Sequence, residues 1–350
     1  NTVAGYHDFL KEKGLWKEEA PCIVVTGSMG EPSGLIAALE DSGYRVYPVR
    51  SIWNFIGGKH MDTIAPVAVI NMAHGRMGDY VSDYIAKNNI LLFSPLNTGR
   101  LVEEWEKDKM GMNGGFLSQS VVTPEIDGAI RPFALFAHYE DEEGLQHVFA
   151  VPERLETFVR TVNNYIALRT KPNADKRVAV YYYKGAGQNA LTAGGMEVGP
   201  SLYNLLKRMQ REGYNVAGLP ASSGDLERMI QEGGAVFGDY AEGASGKFME
   251  NGNPELISKT DYETWTSRVL RPDKYAEVVR MYGEFPGTHM TTPDGKLGIA
   301  RLQFGNVVLL PQNAAGKGDN SFKVVHGTDA APPHSYIASY LWVQFGFKAD

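Results

Sequence analysis

Residues 304–342 hold the densest set of side chains able to do chemistry: FGNVVLLPQNAAGKGDNSFKVVHGTDAAPPHSYIASYLW. A short apolar strand runs into a polar, glycine-broken loop that carries Gln312, Lys317, Asp319 and His326. The chain then turns at Pro332 and Pro333 into a segment with His334, Tyr336, Tyr340 and Trp342. Strand, polar loop and helix start, in that order, is how α/β proteins build ligand sites at strand C-termini. His326 and His334 lie eight residues apart across the double proline, so a turn can bring them together. His74, in NMAHGRMGDY, falls at another strand end. A neutral imidazole in such a place can take a metal ion or move a proton near neutral pH, although a lone histidine is more often a satisfied structural residue.

Other motifs are weaker. GAGQNA at residues 185–190 fits a dinucleotide-binding pattern on paper. Its glycines do not open onto the next helix, expected near Pro200, and the following strand lacks the acidic residue that holds a ribose. The long loop 184–199 reads instead as a cleft lining, whose Asn189, Thr192 and Glu197 can hydrogen-bond a polar ligand. GASGKF at residues 243–248 fails as a phosphate loop, because Phe248 stands where a Ser or Thr is needed and Ala241 where a glycine is needed. The chain is therefore not expected to hydrolyse ATP itself. Glu125 and Asp127 in PEIDG would share a face in a strand; in a turn, one caps and the other is exposed. No tight histidine pair of the H-E-x-x-H kind occurs.

The elements that must position these groups follow from the apolar rhythm. Short apolar runs at 22–26, 44–49, 67–71 and 90–93 alternate with helical periodicity at 33–42 and 79–88. That βαβ pattern predicts an α/β fold of mostly parallel sheets with helices on both faces. Residues 111–175 change character, with glycines, antiparallel strands and a helix over 152–169. A second α/β stretch follows, with strands at 178–183, 214–219, 297–304 and 306–310. We expect an α/β domain at 1–110, a mixed connecting region at 111–175 and a second α/β domain at 176–350, incomplete at its C-terminus.

Composition sets outer bounds. The chain has 350 residues, 43% hydrophobic and 21% charged, with a formal net charge of −7. This acidic balance weighs against nucleic acid as a main partner. The single cysteine, Cys22, rules out an intrachain disulfide and reads as a buried strand residue. No apolar stretch is long enough to span a bilayer. With no signal peptide visible, a cytoplasmic location is expected, or a membrane-associated or periplasmic one if a signal precedes Asn1. Both ends read as cut from something longer.

Three strings carry a resemblance: GGFLSQSVVTPEIDGAI at 114–130, KPNADKRVAVYYYKGAGQNALTAGGMEVGPSLYNLLKRMQREGYNV at 171–216, and FGNVVLLPQ with KVVHGTDAAPPHSYIASYLW within 304–342. They are similar to the large subunit of cobalt and magnesium chelatases, the CobN/magnesium-chelatase H-subunit family, in collinear order over most of residues 67–350. SPLN at 94–97 and YGEFPG at 282–287 also fall where that family has similar strings. The resemblance implies a protein that binds a tetrapyrrole (corrin, porphyrin or haem) and supports insertion of a divalent metal, cobalt foremost, with ATP-hydrolysing partner subunits. It implies a fragment, because the family pattern continues beyond Asp350. Metal insertion needs a cleft for a flat ring, a base for two pyrrole protons and weak metal ligands. Gln312, His326 and His334 are the residues we expect in those roles, the two histidines also as metal ligands, with His74, Asn189, Thr192 and Glu197 on the ligand. Tyr336, Tyr340 and Trp342 offer flat apolar surface but sit at a spacing more common in cores. In YAEVVRMYG at 275–283, Glu277 matches an expected acidic position, while Val279 and Arg280 depart from the glutamates expected of magnesium-type relatives. Two alternatives stand beside this: a haem dechelatase that removes iron, as proposed for haem-uptake relatives, and a non-catalytic tetrapyrrole- or solute-binding module.

Overall fold

A computed structural model describes residues 2–183, 191–193, 195–233, 244–316 and 330–350. The chain divides into two compact units, Asn1–Thr170 and Lys171–Asp350. The first is a six-stranded sheet of β1 (Cys22–Thr26), β2 (Arg45–Val49), β3 (Ala68–Asn71), β4 (Leu91–Leu101), β5 (Ile130–Glu140) and β6 (Gln146–Ala150). The spatial order is β2-β1-β3-β4-β5-β6, parallel throughout except where β6 returns antiparallel to β5.

The apolar runs explain why this sheet forms. Every residue of β1 and of β3 is buried, as expected of strands covered on both faces. Side chains alternate between faces along a strand, so each strand feeds two cores. Ile23, Val25, Ile70 and Phe93 pack with the helices Ser33–Asp41 and Pro152–Thr170, the second contributing Phe158, Val162 and Ile166. Val24, Val69 and Leu92 pack on the opposite side with Ile52, Ile56, Val81 and Ile85 from the helices Ile52–Gly57 and Asp79–Lys87.

The region expected as a separate connector is part of this unit. β5 and β6 extend the first sheet, and the helix Pro152–Thr170 closes one of its faces. Residues 114–126 are helical rather than extended, with a π-helical turn at Ser118–Val122 between the short helices Gly114–Leu117 and Thr123–Ile126. The β-branched run Val121-Val122-Thr123 suggests a strand, but Pro124 sits in the first turn of a helix, where its missing N–H costs nothing.

The second unit contains a three-stranded sheet ordered β12 (Leu302–Phe304), β13 (Val307–Pro311), β7 (Val178–Tyr182). β13 and β7 are its parallel pair; β12 folds back antiparallel on β13. Two small ladders accompany it, β8 (Thr192–Ala193) with β9 (Met196–Glu197), and β10 (Glu255–Ile257) with β11 (Leu297–Ile299). Alternation again makes two cores. Val307 and Leu309 join Leu202, Leu206, Leu226 and Ile230 of the helices Val198–Arg211 and Ser223–Gly233. Val308 and Leu310 join Tyr262, Phe285, Ala338 and Leu341. The strand expected at 214–219 is irregular backbone. Gly213 and Gly218 both have positive φ, and the Asn215 carbonyl accepts from the Asn306 N–H outside any ladder. Among the described residues no helix is long and apolar enough to cross a membrane.

Candidate functional site

In the first unit the chain passes from β1 to β2 on one side, then crosses to β3 on the other. The helices after β1 and β3 lie on opposite faces of the sheet. This strand order is that of a topological switch point, but here the loops after β1 and β3 pack together and leave a narrow crevice of only about 10 Å³ beside His74. Gly27, with φ of +94°, lets the β1 loop run against the β3 loop: a Cβ there would lie 2.5 Å from the Met72 carbonyl carbon. The Met29 N–H donates to the Met72 carbonyl at 2.9 Å, tying the two loops.

His74 stands in that crevice. Its Nδ1 faces the Ser120 hydroxyl at 3.3 Å, and its ring meets Phe116 edge-on at 5.6 Å. Nε2 has no hydrogen-bond partner among the described residues, so a donor or acceptor position stays open. Beside it, the buried Asn97 donates to the Met29 carbonyl at 3.2 Å and faces His138 Nε2 at 3.3 Å. His138 Nδ1 in turn faces Gln146 Oε1 at 3.0 Å. An amide donating into Nε2 and a carbonyl accepting from Nδ1 place the His138 proton on Nδ1. The Ser94 hydroxyl is shut from solvent and has no partner among the described residues.

The PEIDG segment holds this loop in place. Asp127 is buried at 4% exposure; it accepts from Arg76 Nε at 2.9 Å and from the Met77 N–H. Arg76 also reaches Asp79 at 2.7 Å. The carboxylate thus clamps residues 73–78 from 50 positions away, where the sequence suggested a cap and an exposed acid.

In the second unit the C-terminal ends of β7 and β13 present a tyrosine and amide surface. Tyr181 stacks on Tyr340 at 4.9 Å with a 21° interplanar angle, and Tyr336 packs against Tyr340 at 5.1 Å. Gln312 donates to the Tyr340 hydroxyl at 3.2 Å, and Asn313 donates to the Ser335 carbonyl at 3.2 Å. Tyr340 is 41% exposed, so a ring can lie on it, whereas Trp342 is buried in the core. Burial pushes the Tyr181 phenol up to about 12, and burial together with the Tyr340 hydroxyl does the same for Tyr336. Both therefore stay neutral at physiological pH and can bind or orient without acting as bases.

The other expected residues among the described ones take separate local partners. His334, the first residue of the helix His334–Leu341, is 2% exposed. Its Nδ1 meets the Tyr262 hydroxyl at 2.9 Å and its Nε2 the Gly283 carbonyl at 2.9 Å. A carbonyl only accepts, so Nε2 carries the proton and Nδ1 accepts from the phenol. Burial lowers its pKa, opposed in part by the Gly283 carbonyl. With both nitrogens engaged, this imidazole has no position left for a metal or a mobile proton, which corrects its expected role. Glu277 is on the half-exposed side of the helix Pro272–Tyr282, paired with Lys274 at 2.9 Å. Thr192 and Glu197 are brought together as register partners of the β8–β9 ladder, with the Glu197 side chain in solvent. Asn189 and His326, with Lys317 and Asp319, lie outside the described residues. Among the described residues no group of three or more His, Cys, Asp or Glu side chains could hold a metal. Gln312 follows β13, where its amide donates to the Tyr340 hydroxyl. Tyr181, Asn97 and His138 were not singled out from the sequence, because only contacts distant in sequence reveal their arrangement.

Comparison with known proteins supplies the context. The family model described as CobN/Magnesium Chelatase matches residues 14–350. The aerobic cobaltochelatase subunit CobN of Pseudomonas aeruginosa is 27% identical over 254 residues, covering 70% of this chain and 20% of that protein. The chloroplastic magnesium-chelatase subunit ChlH of Oryza sativa subsp. indica is 25% identical over 357 residues, covering 93% of this chain and 24% of that one. The catalytic subunit of cobaltochelatase from Mycobacterium tuberculosis superposes with a TM-score of 0.76 at 24% identity, over 94% of this chain and 29% of that chain. The chain spans 20% and 24% of the two curated relatives' own lengths.

Proposed function

The chain belongs to the CobN/magnesium chelatase family, and on that premise we propose that it is the tetrapyrrole-handling part of a chelatase large subunit that places a divalent metal, cobalt, in a corrin or porphyrin ring. The observation that carries this reading is the surface of Tyr181, Tyr340, Tyr336 and Gln312 at the ends of β7 and β13. A macrocycle needs a flat apolar support and a polar contact at its edge; stacked phenols that stay neutral and an amide supply both.

The roles divide by chemistry. Tyr340 carries the ring face and Gln312 donates to a peripheral carboxylate or amide. The two pyrrole protons that leave on metal entry need a base. We assign that role to His326, which belongs to the same unit as the tyrosine surface; His334, with both nitrogens engaged, does not fit it. The metal ion is the substrate and is held by weak ligands so that it can be passed on, His326 among them. Cobalt rather than magnesium is favoured by Val279 and Arg280, which stand where acidic residues are expected of magnesium-type relatives. ATP is used by partner subunits, consistent with the failed phosphate loop at 243–248. A cytoplasmic location suits that partnership.

Titration of the full-length protein with haem, a metal-free porphyrin and a metal-free corrin tests this. Binding in the micromolar range or better should perturb the Soret or corrin band, and if none of the three does, the reading fails. Addition of ATPase partners, cobalt and ATP then separates insertion from passive binding. Loss of iron from bound haem under the same conditions would reassign the direction, since removal uses the same base and ligands.

A further inference from the structure

The first unit contains a second cavity, apart from the His74 crevice. The helix Val102–Lys107 and the helical segment 114–126 fold back over the C-terminal half of β4 and the N-terminal half of β5. Between them lies a cavity of about 370 Å³, at the small end of the range for ligand pockets. Leu96, Trp105, Phe116, Leu117 and Val121 give it apolar walls. Phe116 lines the cavity and also makes a T-shaped contact with the His74 ring at 5.6 Å. Gly99, with φ of +69°, lies against the Phe116 ring, and a Cβ there would be in ordinary contact with it at 3.4 Å.

The polar groups of the lining have a definite sign. Arg100 donates from Nη1 to Asp108 Oδ2 at 3.0 Å, and Asp108 Oδ1 accepts from the Met110 N–H at 2.9 Å. Both carboxylate oxygens are used. Arg100 is half exposed, and its remaining N–H groups have no partner among the described residues. A second guanidinium, that of Arg154, lies 5.5 Å from the centre of the Trp105 ring. It is held by a bond to the carbonyl of Ala134, which also lines the cavity. Glu103, Glu104 and Glu106 on the adjoining helix are exposed and not part of the lining. The cavity lining is therefore apolar with one cation, Arg100, whose free N–H groups remain available, and one anion, Asp108, whose two oxygens are engaged; Arg154 stands behind Trp105 and adds positive charge nearby without lining the cavity. That suits a negatively charged head on a compact apolar body.

We propose that this cavity binds a compact, flat apolar group bearing a carboxylate, with the ring against Trp105 and Phe116 and the carboxylate on Arg100. Two sources share that chemistry: a free small aromatic acid, or the carboxylate-bearing edge of a tetrapyrrole. The second source rests on the tetrapyrrole reading above; the first does not.

Naphthoate and the neutral, similarly shaped naphthylmethanol serve as probes, titrated into the full-length protein by calorimetry and by Trp fluorescence. Naphthoate should bind more tightly than naphthylmethanol. Arg100→Gln should weaken naphthoate by about tenfold or more, the scale of one charge-assisted hydrogen bond, and leave naphthylmethanol unchanged. Leu117→Trp, which fills the cavity from a half-exposed position, should abolish both. Displacement of naphthoate by a porphyrin with free carboxylates, but not by its methyl ester, assigns the site to the tetrapyrrole edge; no displacement by either assigns it to a free acid. Equal affinity for the two probes, no binding of either, or an Arg100→Gln variant that binds naphthoate like the parent overturns the proposal.

Discussion

Removing the Asp127 carboxylate should loosen the loop that carries His74. Asp127 accepts two hydrogen bonds, one from Arg76 Nε at 2.9 Å and one from the Met77 N–H. The two contributions differ in kind. Arg76 is 38% exposed on its side chain and keeps Asp79 as a partner, so its share is discounted to the surface-pair scale of about 0.5–1 kcal/mol. The Met77 N–H bonds a buried carboxylate, worth about 1.5–3 kcal/mol. Asp127→Ala should then cost about 2–4 kcal/mol of local stability, from the same two principles. Asp127→Asn should cost less, because its side-chain carbonyl still accepts from Met77. Native-state hydrogen exchange at the Met77 amide reads the loop directly, since loss of the clamp accelerates opening there before global unfolding. Removing the other partner, in Arg76→Met, should also speed exchange, by leaving a buried carboxylate short of one donor. If Met77 exchanges at the parent rate in Asp127→Ala, and denaturant unfolding is unchanged, the carboxylate does not hold this loop and the reasoning fails.

Three further outcomes follow from the geometry. Burial lowers the His334 pKa below its ordinary 6.5, so the unfolded chain binds the proton more readily. The stability His334 provides is complete above about pH 6.5 and falls as pH drops through the window below it; unfolding midpoints from pH 8 to 5 should fall more steeply in the parent than in His334→Gln, and parallel curves would refute this. Gly27→Ala should destabilise the protein by about 2–5 kcal/mol, combining overpacking against Met72 with the left-handed backbone; a thermal midpoint within a degree of the parent would contradict the close approach. Tyr340→Ala should weaken porphyrin binding by about fivefold, the scale of one aromatic stack, with an unchanged far-UV spectrum; an unaltered Soret titration would take Tyr340 off the ligand surface.

Much of the fold was legible because it is local. The buried runs Cys22–Thr26, Ala68–Asn71 and Val307–Pro311 announce strands covered on both faces, and their period of two divides each unit into two cores. The family was legible too, from many short strings in one order. The region 114–126 was misread because β-branched residues favour strands in isolation, while its π-helical turn is tied to the loop after β3, through Ser120 to His74 and the Gln119 carbonyl to the Gly75 N–H. The expected strand at 214–219 failed for a related reason: its partners are single turn residues, not a neighbouring strand.

The amino-acid sequence by itself determined that this is an α/β chain of the chelatase family with polar, histidine-bearing loops at strand ends. Only the tertiary structure decided which of those groups are available. His74 and His334 look alike in sequence, each at the edge of a strand-end loop. Among the described residues, folding leaves His74 one open nitrogen and closes both nitrogens of His334 with Tyr262, 72 residues away, and the Gly283 carbonyl, 51 away. The same is true of the stack of Tyr181 on Tyr340 and of the clamp from Asp127 to Arg76. Burial and hydrogen-bond saturation depend on neighbours the chain supplies from a distance, and those neighbours separate a reactive side chain from a structural one.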